Sequence, residues 1–248
     1  MQQPIEASNP TPQPASAYPP GLHVRHFSAA AKLCDYKLIA FDMDSTLINI
    51  ECVDEIADAA GRKAEVASIT EAAMRGEIKD YKESLRQRVA LLKGVPVQAL
   101  HDVYERRLQL NPGAETLIAA CRSAGMKLIL VSGGFTFFTD KLRDRLRFDF
   151  TRSNELGIEN GRLSGRLIDQ PWGDICDGEE KRKMLLEICV KLGISAHHAI
   201  AVGDGANDLP MMQVAGLSVA FHAKPAVRAR AMVSIETGGL DRLLEILR

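Results

Sequence analysis

The hydrophobic positions of this chain form two kinds of pattern that alternate along the sequence. Short continuous apolar runs predict buried strands, and apolar residues at i, i+3, i+4 and i+7 predict amphipathic helices. The predicted strands lie at about 36–42, 127–131, 199–202, 217–220 and 232–235, with a β-hairpin over 154–167 that turns at Asn160-Gly161. Helices are predicted near 112–124, 136–147, 179–192 and 239–247. This alternation predicts a Rossmann-like α/β fold, in which a mainly parallel sheet carries helices on both faces.

A long helical stretch interrupts the alternation between the first two predicted strands. Apolar residues recur with helical spacing at Val53, Ile56, Ala57 and Ala60, and again at Tyr81, Leu85, Val89 and Leu92. We expect residues 51–110 to form a small helical cap on an α/β core made of 33–50 and 111–248. Arg88 lies on the apolar face of the second helix, where it either reaches out to water or pairs with a buried anion.

The composition narrows the class of protein. The chain has 248 residues, of which 46% are hydrophobic and 25% charged, as in a globular protein with a sizeable core. A net charge of -1 argues against a nucleic-acid partner held by bulk charge. Five scattered cysteines without a C-x-x-C pair predict reduced thiols in the cytoplasm. No signal peptide or membrane-spanning run is present, so no membrane partner is predicted, and the oligomeric state stays open.

The N-terminal segment differs in composition from the rest of the chain. Residues 1–32 are rich in Pro, Gln, Ala and Ser. Such a segment buries too little apolar surface to offset the entropy lost on ordering. We therefore predict that residues 1–32 form a mobile tail.

Three of the predicted strands end in polar clusters. Asp42 and Asp44 follow the first strand, Ser132-Gly133-Gly134 follows the second, and Asp204, Asn207 and Asp208 follow the strand at 199–202. Ligands of open α/β sheets bind beyond the carboxyl ends of the strands. The coincidence of three such clusters predicts a catalytic site there, although a D-x-D pair alone more often caps a helix or lies in a turn.

The acidic residues suit phosphoryl transfer. Asp42 is the candidate nucleophile, and Asp44 could protonate the leaving oxygen and later take a proton from water. Asp204 could join Asp42 around Mg²⁺, a hard cation that prefers carboxylate oxygens. Asp208 is expected to orient that shell instead of binding the metal directly.

The phosphate itself needs donors and a cation. The Ser132 hydroxyl and the Gly133 backbone N–H are the candidate donors, although this segment taken alone is also consistent with a plain turn between strand and helix. Lys181 is the candidate cation, with Lys183 and Lys224 as competitors that spacing alone does not exclude.

These motifs as a set resemble the haloacid dehalogenase superfamily of phosphatases, over about residues 36–248. The resemblance includes Asn49-Ile50-Glu51, the helix Ser84–Leu92, Asn154-Glu155-Leu156 and His222-Ala223-Lys224-Pro225. It implies Mg²⁺-dependent hydrolysis of O-phospho-L-serine through an aspartyl phosphate, as the last step of serine biosynthesis. It assigns the nucleophile to Asp42, acid/base catalysis to Asp44, phosphate binding to Ser132, Gly133 and Lys181, and Mg²⁺ to Asp42, Asp204 and the backbone carbonyl of Asp44.

The resemblance also implies how the organic part of the substrate is bound. Arg88 would bind its carboxylate and Glu51 its ammonium, while Asn207 would contact the phosphate or the attacking water. The chain departs from the family pattern in four places. Met43 stands where Phe is usual, one extra residue lies between Met74 and Tyr81, and Tyr81 takes a usual Phe position. The segment Gln170-Pro171-Trp172-Gly173 also differs.

The sequence leaves other functions open. The nearest alternatives are a phosphatase for another small phosphomonoester and a phosphotransferase that uses an alcohol acceptor such as homoserine. A signalling module that keeps its aspartyl phosphate would need neither a cap nor the Arg88 and Glu51 pocket, so the sequence disfavours it. A degenerate binding protein is disfavoured because every catalytic position is filled.

Overall fold

The computed structural model describes residues 18–25, 27, 31–74 and 80–247, without the side chains of 73 and 74. Its strands are β1 Leu22–Val24, β2 Leu38–Phe41, β3 Lys127–Phe135, β4 Phe150–Glu159, β5 Arg162–Ile168, β6 Ala199–Gly203, β7 Leu217–Phe221 and β8 Val233–Ile235. They form one sheet in the order β1-β8-β7-β6-β2-β3-β4-β5. The strands from β8 to β4 run parallel, and β1 and β5 pair antiparallel at the two edges. The predicted mainly parallel α/β sheet is therefore confirmed.

The helices lie between the strands as the pattern predicted. Those of the described chain are α1 Cys52–Ala59, α2 Lys63–Met74, α3 Tyr81–Ala90, α4 Gln98–Arg106, α5 Ala114–Ser123, α6 Thr136–Leu146, α7 Gly178–Leu192, α8 Leu209–Val214 and α9 Pro225–Arg228. The predicted last helix is a 3-10 helix over Leu240–Glu245. The predicted hairpin turn is confirmed, since Asn160 and Gly161 have φ values of 50° and 73°, as a type I′ turn requires.

Each face of the sheet has its own hydrophobic core. Ile39 and Phe41 of β2 point to the face covered by α5 and α6, whereas Leu38 and Ala40 point to the face covered by α7 and α8. These four side chains are fully buried. The alternation follows from the strand period of two and explains why β2 is apolar throughout its length.

The segment between β2 and β3 is helical in its described parts, as predicted. The two ends of the predicted cap segment lie side by side, because Ile48 and Leu110 pair as an antiparallel bridge. The side chain of Asn111 then donates to the carbonyls of Thr46 and Ile48 at 2.9 and 3.0 Å. These contacts fix the loop after β2 against the segment that leads into α5. The division into core and cap stays a prediction.

The predicted mobile tail is wrong for its last part. Leu22–Val24 form β1 and pair with Val233–Ile235, and the Leu22 side chain is only 1% exposed. The physical reason is that Leu22-His23-Val24 alternates apolar and polar residues, unlike the Pro-rich segment before it, and so can cover a sheet edge. Residues 1–17, 26 and 28–30 lie outside the described part of the chain, as does the extra residue expected before Tyr81.

Two further observations bear on the class of protein. The five cysteines are free thiols, with Cys34 exposed and the others buried. Over the residues that the structure describes, we find no helix with the length and apolar character needed to span a membrane.

Candidate active site

The three polar clusters predicted from the sequence meet at one edge of the sheet. β2 lies between β6 and β3, and all three strands are parallel, so their carboxyl ends lie side by side. Asp42 follows β2 directly, and its N–H donates to the Val202 carbonyl of β6 at 3.0 Å. A cavity of about 490 Å³ opens at this edge. Of the predicted site residues, it is lined by Asp42, Asp44, Glu51, Arg88, Ser132, Gly133, Asp204 and Asn207.

Lys181 lies against Asp42 and completes the predicted set. Its Nζ donates to Asp42 Oδ1 at 2.6 Å and to Asp208 Oδ1 at 2.7 Å. The lysine side chain is 0% exposed. Burial lowers the pKa of Lys181, but the charges of Asp208 and Asp42 outweigh this effect and leave the pKa above its ordinary value. Lys181 therefore stays charged and neutralises part of the acidic cluster.

The two competing lysines lie elsewhere. Lys183 is half exposed, and its Nζ donates to the carbonyl of Trp172 at 3.2 Å. Lys224 lines the cavity but is exposed. Of the three candidates, Lys181 is the one in contact with Asp42.

The loop after β6 brings Asp204 and Asp208 together. Asp208 Oδ2 accepts the N–H groups of Asp204 and Gly205 at 3.1 and 3.0 Å. A Cβ at position 203 would lie 2.3 Å from the Asp208 Cγ, so Gly203 is needed for this carboxylate to approach the strand end. Asp208 thus accepts from Lys181 on one oxygen and from the backbone on the other, which fits the predicted orienting role.

The acidic cluster fits a divalent cation. Carboxylate oxygens of Asp42, Asp204 and Asp208 lie within 4.8 Å of one another. Burial and the neighbouring carboxylate of Asp208 raise the pKa of Asp42, while Lys181 opposes the rise. Burial, followed by the charge of Asp208, raises the pKa of Asp204 to about 7. Because buried like charges repel, a hard cation that accepts oxygen ligands would relieve this repulsion.

Asp44 lies in the tight loop Met43–Leu47, in which Ser45 has a φ of 56°. Among the described residues, no hydrogen-bond donor reaches its buried Oδ1. Burial, followed by the charge of Glu51, raises the pKa of Asp44 to about 8. A carboxyl group with this pKa holds its proton near neutral pH and can donate it inside the cavity.

The end of β3 is held in place by Asn154. Its Nδ2 donates to the Gly133 carbonyl at 2.7 Å, and its Oδ1 accepts the N–H of Cys176 at 2.7 Å. The Ser132 hydroxyl accepts the N–H of Gly134 at 2.8 Å. β3 is longer than predicted and continues to Phe135, so Ser132-Gly133-Gly134 belongs to the strand and not to a turn.

The helical segment contributes Glu51, Asp54 and Arg88 to the lining of the cavity. Ser45 Oγ donates to Glu51 Oε1 at 2.6 Å, and burial raises the pKa of Glu51. Arg88 Nε donates to the Ser84 carbonyl at 3.4 Å. The cavity therefore offers cationic and anionic groups side by side, as a zwitterionic ligand requires.

Sequence reasoning missed Asp54 and did not predict a polar role for Tyr81, and both line the cavity. Asp54 Oδ1 is buried, and none of the described residues donates a hydrogen bond to it. Its position one helical turn after Glu51 was the available signal, but an acid in the first turn of α1 is also explained by the helix dipole.

A second groove, of about 700 Å³, lies between α3 and α7, near Lys82 and Val190. It is larger than the cavity at the sheet edge, but none of the strand-end carboxylates lines it. Cavity volume alone therefore does not identify the candidate active site. We place the site at the smaller cavity, because the strand-end carboxylates line it.

Comparisons with known proteins agree with this geometry. The family model for haloacid dehalogenase-like hydrolases matches residues 36–216. A phosphoserine phosphatase of Polaromonas sp. is 72% identical over 229 residues, which cover 92% of this chain and 97% of that protein. A solved structure described as a phospho-aspartyl intermediate analogue of phosphoserine phosphatase has a TM-score of 0.78 at 38% identity, over 86% of this chain and 99% of that one. A substrate-bound phosphoserine phosphatase complex has a TM-score of 0.78 at 37% identity, with the same coverage of both chains.

The resemblance inferred from the motifs is thus confirmed by whole-chain similarity. The matched region begins just before β2 and includes the segments that supply Asp42, Ser132, Lys181 and Asp204. The chain belongs to the haloacid dehalogenase-like hydrolases and, within them, to the phosphoserine phosphatases.

Proposed function

We propose that this protein hydrolyses O-phosphoserine to serine and phosphate, with Mg²⁺ as cofactor and Asp42 as nucleophile. The observation that carries the proposal is the group formed by the buried Asp42 and Lys181 with the partly buried Asp204, beyond the carboxyl ends of β2 and β6. This group combines a carboxylate nucleophile with cationic neutralisation, which phosphoryl transfer requires. The names of the related proteins support the choice of substrate.

Asp42 and Asp204 would hold the metal through carboxylate oxygens, and Asp44 through its backbone carbonyl. When bound, Mg²⁺ would supply positive charge to the phosphoryl oxygens. The carboxylates fit the ion, because those of Asp42 and Asp204 are hard oxygen ligands within 4.8 Å of each other, one buried and one partly buried. Asp208 would orient this group, since Lys181 and two backbone N–H groups already occupy its oxygens.

The first half-reaction transfers the phosphoryl group to Asp42. Lys181 donates to Asp42 Oδ1, whereas no described residue donates to Oδ2, so Oδ2 would form the bond to phosphorus. The bond between phosphorus and the seryl oxygen breaks, and that oxygen takes the proton held by Asp44. In the second half-reaction, water attacks phosphorus and Asp44 takes its proton. The acyl phosphate bond then breaks and restores the Asp42 carboxylate.

The remaining cavity residues would bind the two ends of the substrate. The Ser132 hydroxyl, the Gly133 N–H and Lys181 would hold the phosphoryl oxygens, and Asn207 would contact the phosphate or the water. Arg88 would pair with the substrate carboxylate. Glu51 would bind the substrate ammonium, and Asp54, whose buried Oδ1 no described residue satisfies, would add a second acceptor for it.

Residues 51–110 would act as a cap that excludes bulk water from the acyl phosphate. The described part of this segment supports the proposal, because α1 carries Asp54 and α3 carries Arg88, and both residues line the cavity. We also propose that the reaction is a step of serine biosynthesis in the cytoplasm, where the free thiols would stay reduced.

The first test is phosphate release from a panel of phosphomonoesters at millimolar Mg²⁺, with and without alcohol acceptors such as homoserine. We expect O-phosphoserine to be the preferred substrate and water the acceptor. Asp42→Asn should lower turnover by roughly a thousandfold or more, because the amide cannot form the acyl phosphate. Asp169→Asn, a change at an exposed aspartate, serves as the control. Normal turnover by the Asp42 variant would refute the nucleophile.

Arg88→Ala tests the substrate specificity. Loss of a charge-assisted hydrogen bond costs about 1.5–3 kcal/mol, so kcat/KM for O-phosphoserine should fall by roughly ten- to a hundredfold. Turnover of p-nitrophenyl phosphate, which has no carboxylate, should change much less. Arg106→Ala, at a mostly exposed arginine of α4, should change neither substrate. Equal losses on both substrates would rule out a carboxylate-binding role for Arg88.

A further inference from the structure

Tyr81 places a phenol hydroxyl at the phosphate end of the cavity. It is the first residue of α3, and Asp80 fixes the start of that helix by accepting the N–H of Lys82 at 3.0 Å. A Cβ built on Gly133 would lie 2.0 Å from the Tyr81 hydroxyl oxygen and 3.2 Å from its Cζ. The hydroxyl therefore lies directly against Gly133, whose N–H we assign to phosphate.

The hydroxyl is available to a ligand. In the described part of the chain, no side chain or carbonyl forms a hydrogen bond with it, and Tyr81 lines the cavity. Burial raises the pKa of Tyr81, although the positive charges of Lys181 and Arg88 oppose the rise. The phenol is therefore a neutral donor throughout the physiological pH range. A hydroxyl donor beside Gly133, to which no described residue offers an acceptor, is suited to an anionic oxygen.

Helix α3 links this hydroxyl to the other end of the site. Arg88 follows Tyr81 by seven residues, which is about two helical turns and a rise of roughly 10 Å on the same face. Both side chains line the cavity. One face of α3 thus presents a hydroxyl to the phosphate end and a guanidinium to the amino-acid end. Phenylalanine, usual at position 81 in the resemblance described above, would supply the ring without the donor.

We propose that the Tyr81 hydroxyl donates a hydrogen bond to a phosphoryl oxygen of the substrate, so that α3 takes part in phosphate recognition as well as in binding the amino-acid end. This inference rests on the proposed function. It adds to the phosphate site a donor that comes from the helical segment, whereas Ser132, Gly133 and Lys181 come from the sheet and α7.

Tyr81→Phe tests the proposal, because it removes only the oxygen. A hydrogen bond to a charged group contributes about 1.5 kcal/mol or more, so we expect kcat/KM to fall by about tenfold. The loss should be equal for O-phosphoserine and p-nitrophenyl phosphate, which share only the phosphoryl group. Binding of inorganic phosphate to the Mg²⁺-loaded protein, measured by calorimetry, should weaken by a similar factor. The melting temperature should not fall, because no described residue forms a hydrogen bond with the hydroxyl that the substitution could remove.

Tyr104→Phe is the matched control, since the Tyr104 ring lies on α4 under Lys141 and does not line the cavity. Unchanged kinetics and phosphate binding in Tyr81→Phe would overturn the proposal, and so would a loss confined to O-phosphoserine, which would assign the hydroxyl to the amino-acid end. A lower melting temperature with unchanged phosphate affinity would show a packing role only and would also overturn it. Binding of inorganic phosphate is measured without turnover and does not depend on which phosphomonoester is the substrate. It therefore tests the role of the Tyr81 hydroxyl even if O-phosphoserine is not the substrate.

Discussion

The positive charge of Lys181 offsets the repulsion between the carboxylates that lie close together at the carboxyl end of the sheet. Asp42 and Asp208 both accept hydrogen bonds from its ammonium group, and all three side chains are buried. Removing one partner of such a group leaves an uncompensated buried charge, which typically costs about 3–5 kcal/mol. The lysine therefore stabilises the fold around the site and also supplies charge for phosphate. Among the described residues, no lysine contacts Asp204, and its carboxylate accepts a hydrogen bond from Thr46 alone, at 3.2 Å.

The raised pKa of Asp204 predicts how Mg²⁺ binding depends on pH. The pKa of Asp204 is about 7 in the metal-free protein, far above the ordinary value for an aspartate. Protons and Mg²⁺ compete for the same oxygens, so the apparent Mg²⁺ affinity should rise by roughly fivefold from pH 6 to pH 7. The rise should become shallower above the pKa of this carboxyl group. Calorimetric titration of the metal-free protein at several pH values measures it, and an affinity independent of pH would contradict it.

The same raised pKa sets the sign of the pH dependence of stability. Between about pH 4 and pH 7, the native state without metal binds a proton at Asp204 that the unfolded chain has lost. Its free energy of unfolding should therefore fall as pH rises through this range, and added Mg²⁺ should reverse the fall. Asp204→Asn is the control, because a neutral amide removes this proton and most of the response to Mg²⁺. Denaturant unfolding at pH 5 and pH 8 distinguishes the two proteins.

At the scale of elements, the position of α3 depends on ion pairs with the loop before α7. Lys82 and Arg86, one helical turn apart, contact Asp174 at 2.7 and 2.6 Å, and Lys82 lies 3.7 Å from Asp177. Asp177 caps α7 by accepting the N–H of Glu180 at 2.9 Å. The helix that presents Tyr81 and Arg88 is thus tied to the helix that carries Lys181.

Loss of the ion pairs between α3 and Asp174 should weaken substrate binding without slowing the phosphoryl-transfer steps. The side chains of Lys82, Arg86 and Asp174 are 31–48% exposed, so each pair contributes little, up to about 1 kcal/mol. We expect Asp174→Ala to raise KM for O-phosphoserine by about threefold and to leave kcat nearly unchanged. Steady-state kinetics at low ionic strength measure both quantities.

Salt provides the control for this prediction, because it screens exposed charges. KM of the unaltered protein should rise with added NaCl towards the value of the Asp174 variant, whose own KM should respond less. Asp140→Ala removes a comparable exposed pair with Arg143 on α6 and should behave like the unaltered protein. A variant with unchanged KM would show that these ion pairs do not position α3.

The site could be predicted from sequence where local signals agree with the fold. The apolar run of β2 stops at Asp42, and that alone locates the strand end. Local signals did not identify the lysine, because the start of α7 is a run of charged residues in which Lys181 and Lys183 look alike. The resemblance assigned Lys181, and the packing of α7 against β2 and β3 gives the physical reason, because Lys181 points inward and Lys183 outward. Asp54 and the Tyr81 hydroxyl were missed for the same reason, since their roles depend on groups remote in sequence.

At the scale of the whole molecule, one edge of the sheet is covered by a strand from the N-terminal part of the chain. β1 pairs with β8 across more than two hundred residues, and the Glu236 N–H donates to the Gly21 carbonyl at 2.7 Å. A strand this short has almost no intrinsic signal, because its stability comes from the edge that it covers. Sequence reasoning therefore assigned it to the tail, although Leu22 belongs to the core that also contains Val233 and Ile235.

Leu22→Ala tests whether this edge strand stabilises the whole domain. Leu22 is 1% exposed, and truncation of a fully buried leucine typically costs about 2–5 kcal/mol, with the lower end expected at a sheet edge. His23→Ala is the matched control, because the neighbouring side chain is 51% exposed and its loss should cost no more than about 0.5 kcal/mol. Denaturant unfolding measures both variants. Below their unfolding transitions, both should keep the kcat of the unaltered protein, because β1 and β8 lie outside the cavity lining. If Leu22→Ala were as stable as His23→Ala, the N-terminal strand would contribute nothing to the fold, and the original prediction of a tail would describe it better.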